Sequence, residues 1–304
     1  MCRSSARRRG FTLVEMLVVI GIIGVLAALL MGAVMMAVPA TRRAAIVMEL
    51  KQLEEGVEAY RKETGDYPPN FRDYDAFIRH VRRCYPKMTP GNLNTFVQRA
   101  WGTNYSVSSP PPAGTVPLID EGESLVFWLA SIHDDPQNPL GVTPPGTSAP
   151  FKKYFQFDEK RFTNDDGDAF PSYKAKYTKD TCYVYIDSRS YIECSYNTNL
   201  GDSSNSWAFA EDSTVPENRI RPYWTDTLAN ASATDNRLKF KPVNATSFQI
   251  LCAGLDGDFG LYDGTDRSPA DTNIKVFASG ENYKDEDNDN IGHFSGGALG
   301  DKIP

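Results

Sequence analysis

Residues 13–38, LVEMLVVIGIIGVLAALLMGAVMMAV, are 26 residues that carry one charge, Glu15. A helix needs about 20 apolar residues to cross the hydrocarbon core of a bilayer, so this run can span one with some tilt. A secretory signal peptide has an apolar core of only about 7–15 residues followed by a small-residue cleavage site. This run is longer, and no such site follows before Pro39. By hydropathy alone it is a signal anchor or a single-pass helix. Arg3, Arg7, Arg8 and Arg9 precede it, and Arg42 and Arg43 follow. That bias puts the N-terminus in the cytoplasm and everything from about residue 40 on the far side.

Glu15 is the odd residue of the run. An acidic side chain near the bilayer centre costs roughly 2.5–3.5 kcal/mol on insertion scales, and less near the end of a span, but it still calls for a partner. If the chain were cut after Gly10, the new α-amino group of Phe11 would supply one. Phe11 and Glu15 are i and i+4 on one helix face, and a neighbouring copy could offer the same group.

Arg9-Gly10-Phe11-Thr12-Leu13-Val14-Glu15, leading straight into the apolar run, resembles the processing and methylation motif of type IV prepilins. The resemblance implies cleavage between Gly10 and Phe11 by a prepilin peptidase and N-methylation of Phe11. It also implies that Glu15 pairs with the Phe11 amino group of the adjacent subunit during filament assembly.

Beyond Pro39 the pattern becomes amphipathic. Ile46, Leu50, Leu53, Val57 and Tyr60 recur at helical spacing with charged residues between them. Gly65 and then Pro68-Pro69 stop the helix. One helix is therefore expected from about Thr12 to Thr64, roughly 80 Å at 1.5 Å per residue. Pro39 inside it is expected to kink it or to cost a hydrogen bond. Gly32 stands where pilins often carry a proline, so the kink should come later here. Tyr60 to Pro68, YRKETGDYP, resembles the helix end of the major pseudopilin of type II secretion systems.

Short helices are expected over residues 73–84, 90–100 and 121–132, the last with Ser124 as a candidate N-cap. Proline-rich surface segments at 108–117 and 136–150 flank the third. Residues 181–186 and 190–195 alternate and are β-branched or aromatic. With Asp187-Ser188-Arg189 as the turn, they read as a hairpin. Residues 247–253 and 272–278 read as two further strands. The fold class is α+β. In the terms of the resemblance it is pilin-like, with one long N-terminal helix packed on a small antiparallel sheet and large insertions in the head. Three parts follow: a leader at 1–10, a membrane or filament-core helix at 11–39, and an exported head at 40–304.

Cys2 lies in the leader. Of the other four cysteines, the expected hairpin brings Cys182 near Cys194, a candidate disulfide in an oxidising compartment. Buried free thiols are the alternative.

From Ala253 to Pro304 there are 11 acidic and 4 basic residues. Carboxylates clustered among Gly and Asn favour a hard, oxygen-bound cation, chiefly Ca²⁺. An EF-hand does not fit, because Asn290 replaces the turn Gly and Gly296 the closing Glu of a loop beginning at Asp285. Ala253-Gly254-Leu255-Asp256-Gly257, with Asp289-Asn290-Ile291 further on, resembles the calcium loop of major pseudopilins. That segment covers about 245–294. The expected ligands are Asp256, Asp258, Asp287 and Asp289, although the intervening loop is much longer than in the family. A solvated acidic tail is the other reading.

The whole chain carries 32 Lys+Arg against 39 Asp+Glu, a net charge of -7, which argues against a nucleic-acid-coating surface. Three histidines far apart in sequence argue against a His-rich zinc site. No Gly-x-Ser-x-Gly elbow, P-loop, H-E-x-x-H or C-x-x-C pair is present, so the chain is read as a non-enzyme. The resemblance implies a structural subunit of a secretion pseudopilus or pilus-like filament. Its implied partners are the peptidase, copies of itself, other pseudopilins, an inner-membrane assembly platform and membrane lipid. A minor pilin with a ligand-binding head is the alternative.

Overall fold

The computed structural model describes residues 11–112, 115, 117–141, 151–164, 170–178, 181–191, 221–234, 236–259 and 274–304. The chain divides into two units, Met1–Arg42 and Arg43–Pro304.

The expected long helix is present as α1 (Leu13–Thr64), and it runs unbroken through Pro39. In the first unit its large apolar side chains, among them Leu17, Ile20, Leu29 and Met35, are exposed. Among the described residues α1 is the one helix long and apolar enough to cross a membrane.

The second unit is the head. Its portion of α1 buries the predicted stripe completely: Ile46, Leu50, Leu53, Val57 and Tyr60 are all 0% exposed. Burying each such aliphatic side chain is worth about 1.5–3 kcal/mol. The stripe packs on an antiparallel sheet of β5 (Val184–Asp187), β8 (Phe248–Cys252) and β10 (Ile291–Gly292), with β8 central. Period-two alternation assigns the faces. Tyr183, Tyr185, Phe248, Ile250 and Cys252 join the stripe in one apolar cluster. Val184, Ile186, Leu251 and Ala253 join a second cluster with Tyr223, Trp224 and Val276. Both faces are covered, so β5 and β8 are buried at every position, as strands covered on both sides must be.

The second cluster includes a further sheet, in which β6 (Tyr223–Leu228) lies between β7 (Phe240–Pro242) and β9 (Lys275–Val276). β6 pairs with β9 in parallel. Two short antiparallel pairs complete the strands: β1 (Ile132–His133) with β2 (Phe151–Lys152), and β3 (Phe162–Thr163) with β4 (Ser172–Tyr173).

The three predicted short helices are α2 (Tyr74–Cys84), α3 (Pro90–Trp101) and α4 (Glu121–Ala130). They enclose an aromatic core of Phe71, Phe77, Phe96, Trp101, Phe127 and Trp128, which also takes in Tyr60 of α1. The insertion therefore has its own core yet shares α1 with the sheet. Trp128 Nε1 donates to Pro69 O at 2.7 Å, fixing the chain just beyond the helix end.

Two expectations are corrected. The N-cap of α4 is Asp120, not Ser124: Asp120 accepts from the Gly122 and Glu123 amides while Glu123 reaches back to the Asp120 N–H, a capping box. Ser124 is buried in the helix and donates to Glu121 O. The turn expected at Asp187-Ser188-Arg189 also differs. After Asp187 the chain enters a 3₁₀ turn, Ser188–Ser190, and Tyr191 is helical in backbone. β5 pairs with β8, far along the chain. Residues 192–195 lie outside the described residues, and so does the Cys182–Cys194 pairing. Cys84 and Cys252 are free thiols.

Candidate functional site

The N-terminal site begins at Phe11, because Gly10 and the leader lie outside the described residues. Phe11 is exposed. Glu15 Oε2 accepts from the Thr12 amide at 2.9 Å and from Thr12 Oγ1 at 2.8 Å. The Glu15 amide in turn donates to Thr12 Oγ1 at 3.2 Å. Thr12 and Glu15 thus cap the start of α1 reciprocally. The S/T-x-x-E spacing of Thr12-Leu13-Val14-Glu15 is the local sequence signal for such a box. In the uncut chain the Phe11 nitrogen is a peptide nitrogen, and Thr12 satisfies the carboxylate instead.

The C-terminal loop is built around Asp289. Gly254, at φ +70°, lies so close to the Asp289 backbone carbonyl and carboxylate that a Cβ would collide with both. Glycine is required there both for its conformation and for its missing side chain. The close approach lets Asp289 Oδ2 accept from the Leu255 amide at 2.5 Å and the Asp256 amide at 3.2 Å. Its Oδ1 accepts from Arg43 Nε at 2.9 Å, and Arg43 Nη2 lies 2.6 Å away. An arginine at the start of the head's portion of α1 therefore ties the loop down through a two-pronged contact.

Asp287 faces elsewhere. It is fully buried, and its Oδ1 receives the Lys275 ammonium at 2.5 Å, the Tyr223 hydroxyl at 3.0 Å and the Asn290 amide at 3.2 Å. Its Oδ2 accepts from the Lys284 N–H at 2.8 Å. Lys275 also donates to Phe259 O at 3.2 Å. Burial pushes the Lys275 ammonium below its usual range, and the Asp287 charge opposes that. The result is a buried ion pair.

Asp256 and Asp258 are half-buried on the loop, and the Asp258 amide donates to Asp256 Oδ1 at 3.0 Å. Burial first, then the neighbouring carboxylates of Asp289, Asp258 and Glu286, holds the Asp256 carboxyl above its ordinary value. Asn290 Oδ1 is buried without a hydrogen-bond partner. The four expected ligands therefore divide. Asp287 and Asp289 already hold cations of the chain itself, and Asp256 is crowded by neighbouring carboxylates that an added cation would neutralise.

A membrane-length helix that starts on a capped Phe-Thr-Leu-Val-Glu segment and packs its amphipathic half on an antiparallel sheet defines a pilin-like subunit. Residues 5–31 match the family described as the prokaryotic N-terminal methylation motif. Type II secretion system core protein G of Klebsiella pneumoniae is 33% identical over 122 residues, 38% of this chain and 85% of that protein. The proteins of the same name from Escherichia coli K12 and Vibrio cholerae are 27% and 24% identical, over 85% and 81% of their lengths. No solved structure gives a significant match. The chain belongs to the type II secretion system core protein G family, the pseudopilins. Its likeness to them covers about two fifths of its length.

Proposed function

We propose that this chain is a structural subunit of a secretion pseudopilus. A prepilin peptidase cuts it after Gly10, Phe11 is N-methylated, and the mature chain is held in the inner membrane by the first half of α1 with its N-terminus cytoplasmic and its head beyond the membrane. Subunits then associate through α1 with copies of themselves and with other pseudopilins. The observation that carries this reading is the exposed apolar surface of α1 before Arg42, joined to a matched methylation motif. Such a surface needs lipid or other subunits to cover it. The reading requires no catalysis. Removing the leader takes away four arginines and leaves 28 basic against 39 acidic side chains, a net charge of -11.

The test is Glu15→Ala in cells that carry the secretion machinery. Mass spectrometry should find N-methyl-Phe11 at the mature N-terminus of the wild type. The variant should still be cut, yet be missing from sheared filaments. An intact Met1 on the wild-type chain would remove the processing step, and normal filaments from the variant would remove the role of Glu15.

Calcium binding at the C-terminal loop forms part of the proposal in a narrower form. Asp256 and Asp258 would hold the ion through their carboxylate oxygens. Bound Ca²⁺ would neutralise the crowded carboxylates and brace the loop. At a calcium concentration of 100 Kd, binding adds about 2.7 kcal/mol to stability. Chelator is therefore expected to lower the Tm of the wild type and to leave that of Asp256→Asn unchanged. A wild-type Tm that ignores both chelator and calcium would overturn the calcium site and leave the ion pairs with Arg43 and Lys275.

A further inference from the structure

We propose that Asp66, His80 and Cys84 form a binding site for one transition-metal ion of the zinc class, where the end of α1 meets α2. Their donor atoms, one from each side chain, lie within 4.8 Å of one another. His80 Nδ1 is 3.1 Å from Asp66 Oδ2, and Cys84 Sγ is 3.8 Å from His80 Nδ1. Zinc bonds to nitrogen and oxygen at about 2.0–2.2 Å and to sulfur at about 2.3 Å in tetrahedral geometry, which spaces neighbouring donors by roughly 3.3–3.7 Å. The side chains already hold nearly that spacing. Binding would release the thiol proton of Cys84 as the thiolate takes up the metal, while the Nδ1 proton of the neutral His80 ring would move to Nε2, facing Tyr60 Oη.

Local structure explains why the three converge. His80 and Cys84 are i and i+4 on α2, so they share a face. Asp66 follows the turn that ends α1, and its neighbour Thr64 accepts from Cys84 Sγ through its carbonyl at 3.5 Å. Ligating histidines usually commit their second ring nitrogen to an oxygen. Here His80 Nε2 lies 2.7 Å from Tyr60 Oη, which lies 2.9 Å from Tyr85 Oη. The ring is clamped by stacking on Tyr60 and by an edge contact with Trp128. Arg189 Nη1, 3.1 Å from Asp66 Oδ2, fixes the carboxylate.

Cys84 is half-exposed and lines a cavity of about 340 Å³ together with Glu63, Thr64, Tyr85 and His133. Of the three donors Cys84 is the one that lines this cavity, so a fourth ligand, as at sites with three protein donors, would come from the Cys84 side. Sequence spacing concealed the group, because its single histidine is joined by a carboxylate from another element. A metal here would staple the inserted helices to the end of α1.

The test titrates the full chain, purified metal-free in detergent, with Co²⁺ as the spectroscopic probe and then with Zn²⁺. One Co²⁺ per chain should bind, with tetrahedral ligand-field bands and a thiolate charge-transfer band, and one equivalent of Zn²⁺ should displace it. Cys84→Ser should lose the charge-transfer band and weaken Zn²⁺ binding at least 10-fold, and Asp66→Asn should also weaken it. Far-ultraviolet circular dichroism identical to the wild type certifies that the variants fold. A wild type that binds no metal overturns the proposal. So does a Cys84→Ser variant with the wild-type spectrum and affinity, or metal bound without a thiolate band, which would mark the acidic C-terminal loop.

Discussion

Lys275→Met is expected to cost the head about 3–5 kcal/mol of stability, the range for breaking a buried ion pair by removing one partner. Lys275 is 5% exposed and Asp287 0%. Asp287 depends on the ammonium for charge balance, and its Tyr223, Asn290 and Lys284 donors are neutral dipoles. Methionine fills much of the lysine stem but leaves the carboxylate buried and uncompensated. A second change, Asp287→Asn, removes that charge and should recover part of the loss, so the two effects should not add. Urea unfolding of the detergent-solubilised chain, followed by tryptophan fluorescence, measures both. The four tryptophans, at positions 101, 128, 207 and 224, all lie in the head, so the signal reports on that unit. A loss below about 1 kcal/mol, the value of an exposed pair, would show that water reaches Asp287.

The same pair marks where reading the sequence stops. Residues 272–278 were recognisable as a strand from their apolar alternation, and β9 lies within them. Nothing local says that Lys275 would turn inward to meet Asp287, because that meeting depends on the parallel pairing of β9 with β6. Long-range pairing of β5 is likewise not written locally. Tyr183 to Ile186 carries a clear strand signal, but its pairing with Phe248–Cys252 is not readable from composition. Features fixed within a few residues fared better. The stripe from Ile46 to Tyr60 is a matter of helical period, and it is buried throughout. The helices expected at 73–84 and 90–100 form as α2 and α3 within a residue of those bounds. The capping boxes at Thr12/Glu15 and Asp120/Glu123 are equally local. At the C-terminal loop, residue types identified the acidic cluster. The division between carboxylates already bound to Arg43 and Lys275 and those left crowded needed coordinates.

His293→Gln is expected to flatten a pH dependence that the wild type owes to one buried imidazole. His293 Nδ1 accepts the Ile250 N–H at 3.0 Å, and the ring stacks on Phe248 at 4.9 Å. Protonation would turn that acceptor into a donor facing an N–H, inside a sheet where charge is poorly solvated. Burial accordingly lowers the His293 pKa to about 4. In the unfolded chain the imidazole takes its proton near pH 6.5. Above that pH neither state is protonated, and the contribution of His293 is fully present. As the pH falls toward 4 the unfolded state binds the proton first, and stability is lost by about 1.4 kcal/mol per unit, roughly 3 kcal/mol in all. Two buried carboxyls act in the opposite sense over the same range. Burial raises Glu121 to about 7 and Asp187 to about 6, so the folded state binds their protons first and gains stability on acidification. His80, lowered mainly by burial, acts in the same sense as His293. Total stability against pH therefore blends opposing slopes, and the readout is the difference between wild type and variant. That difference, from urea unfolding at pH 7 and at pH 4, should shrink by about 3 kcal/mol. A difference that stays constant with pH would mean that His293 is protonated alike in both states, and that its bond to the Ile250 amide does not hold the ring neutral.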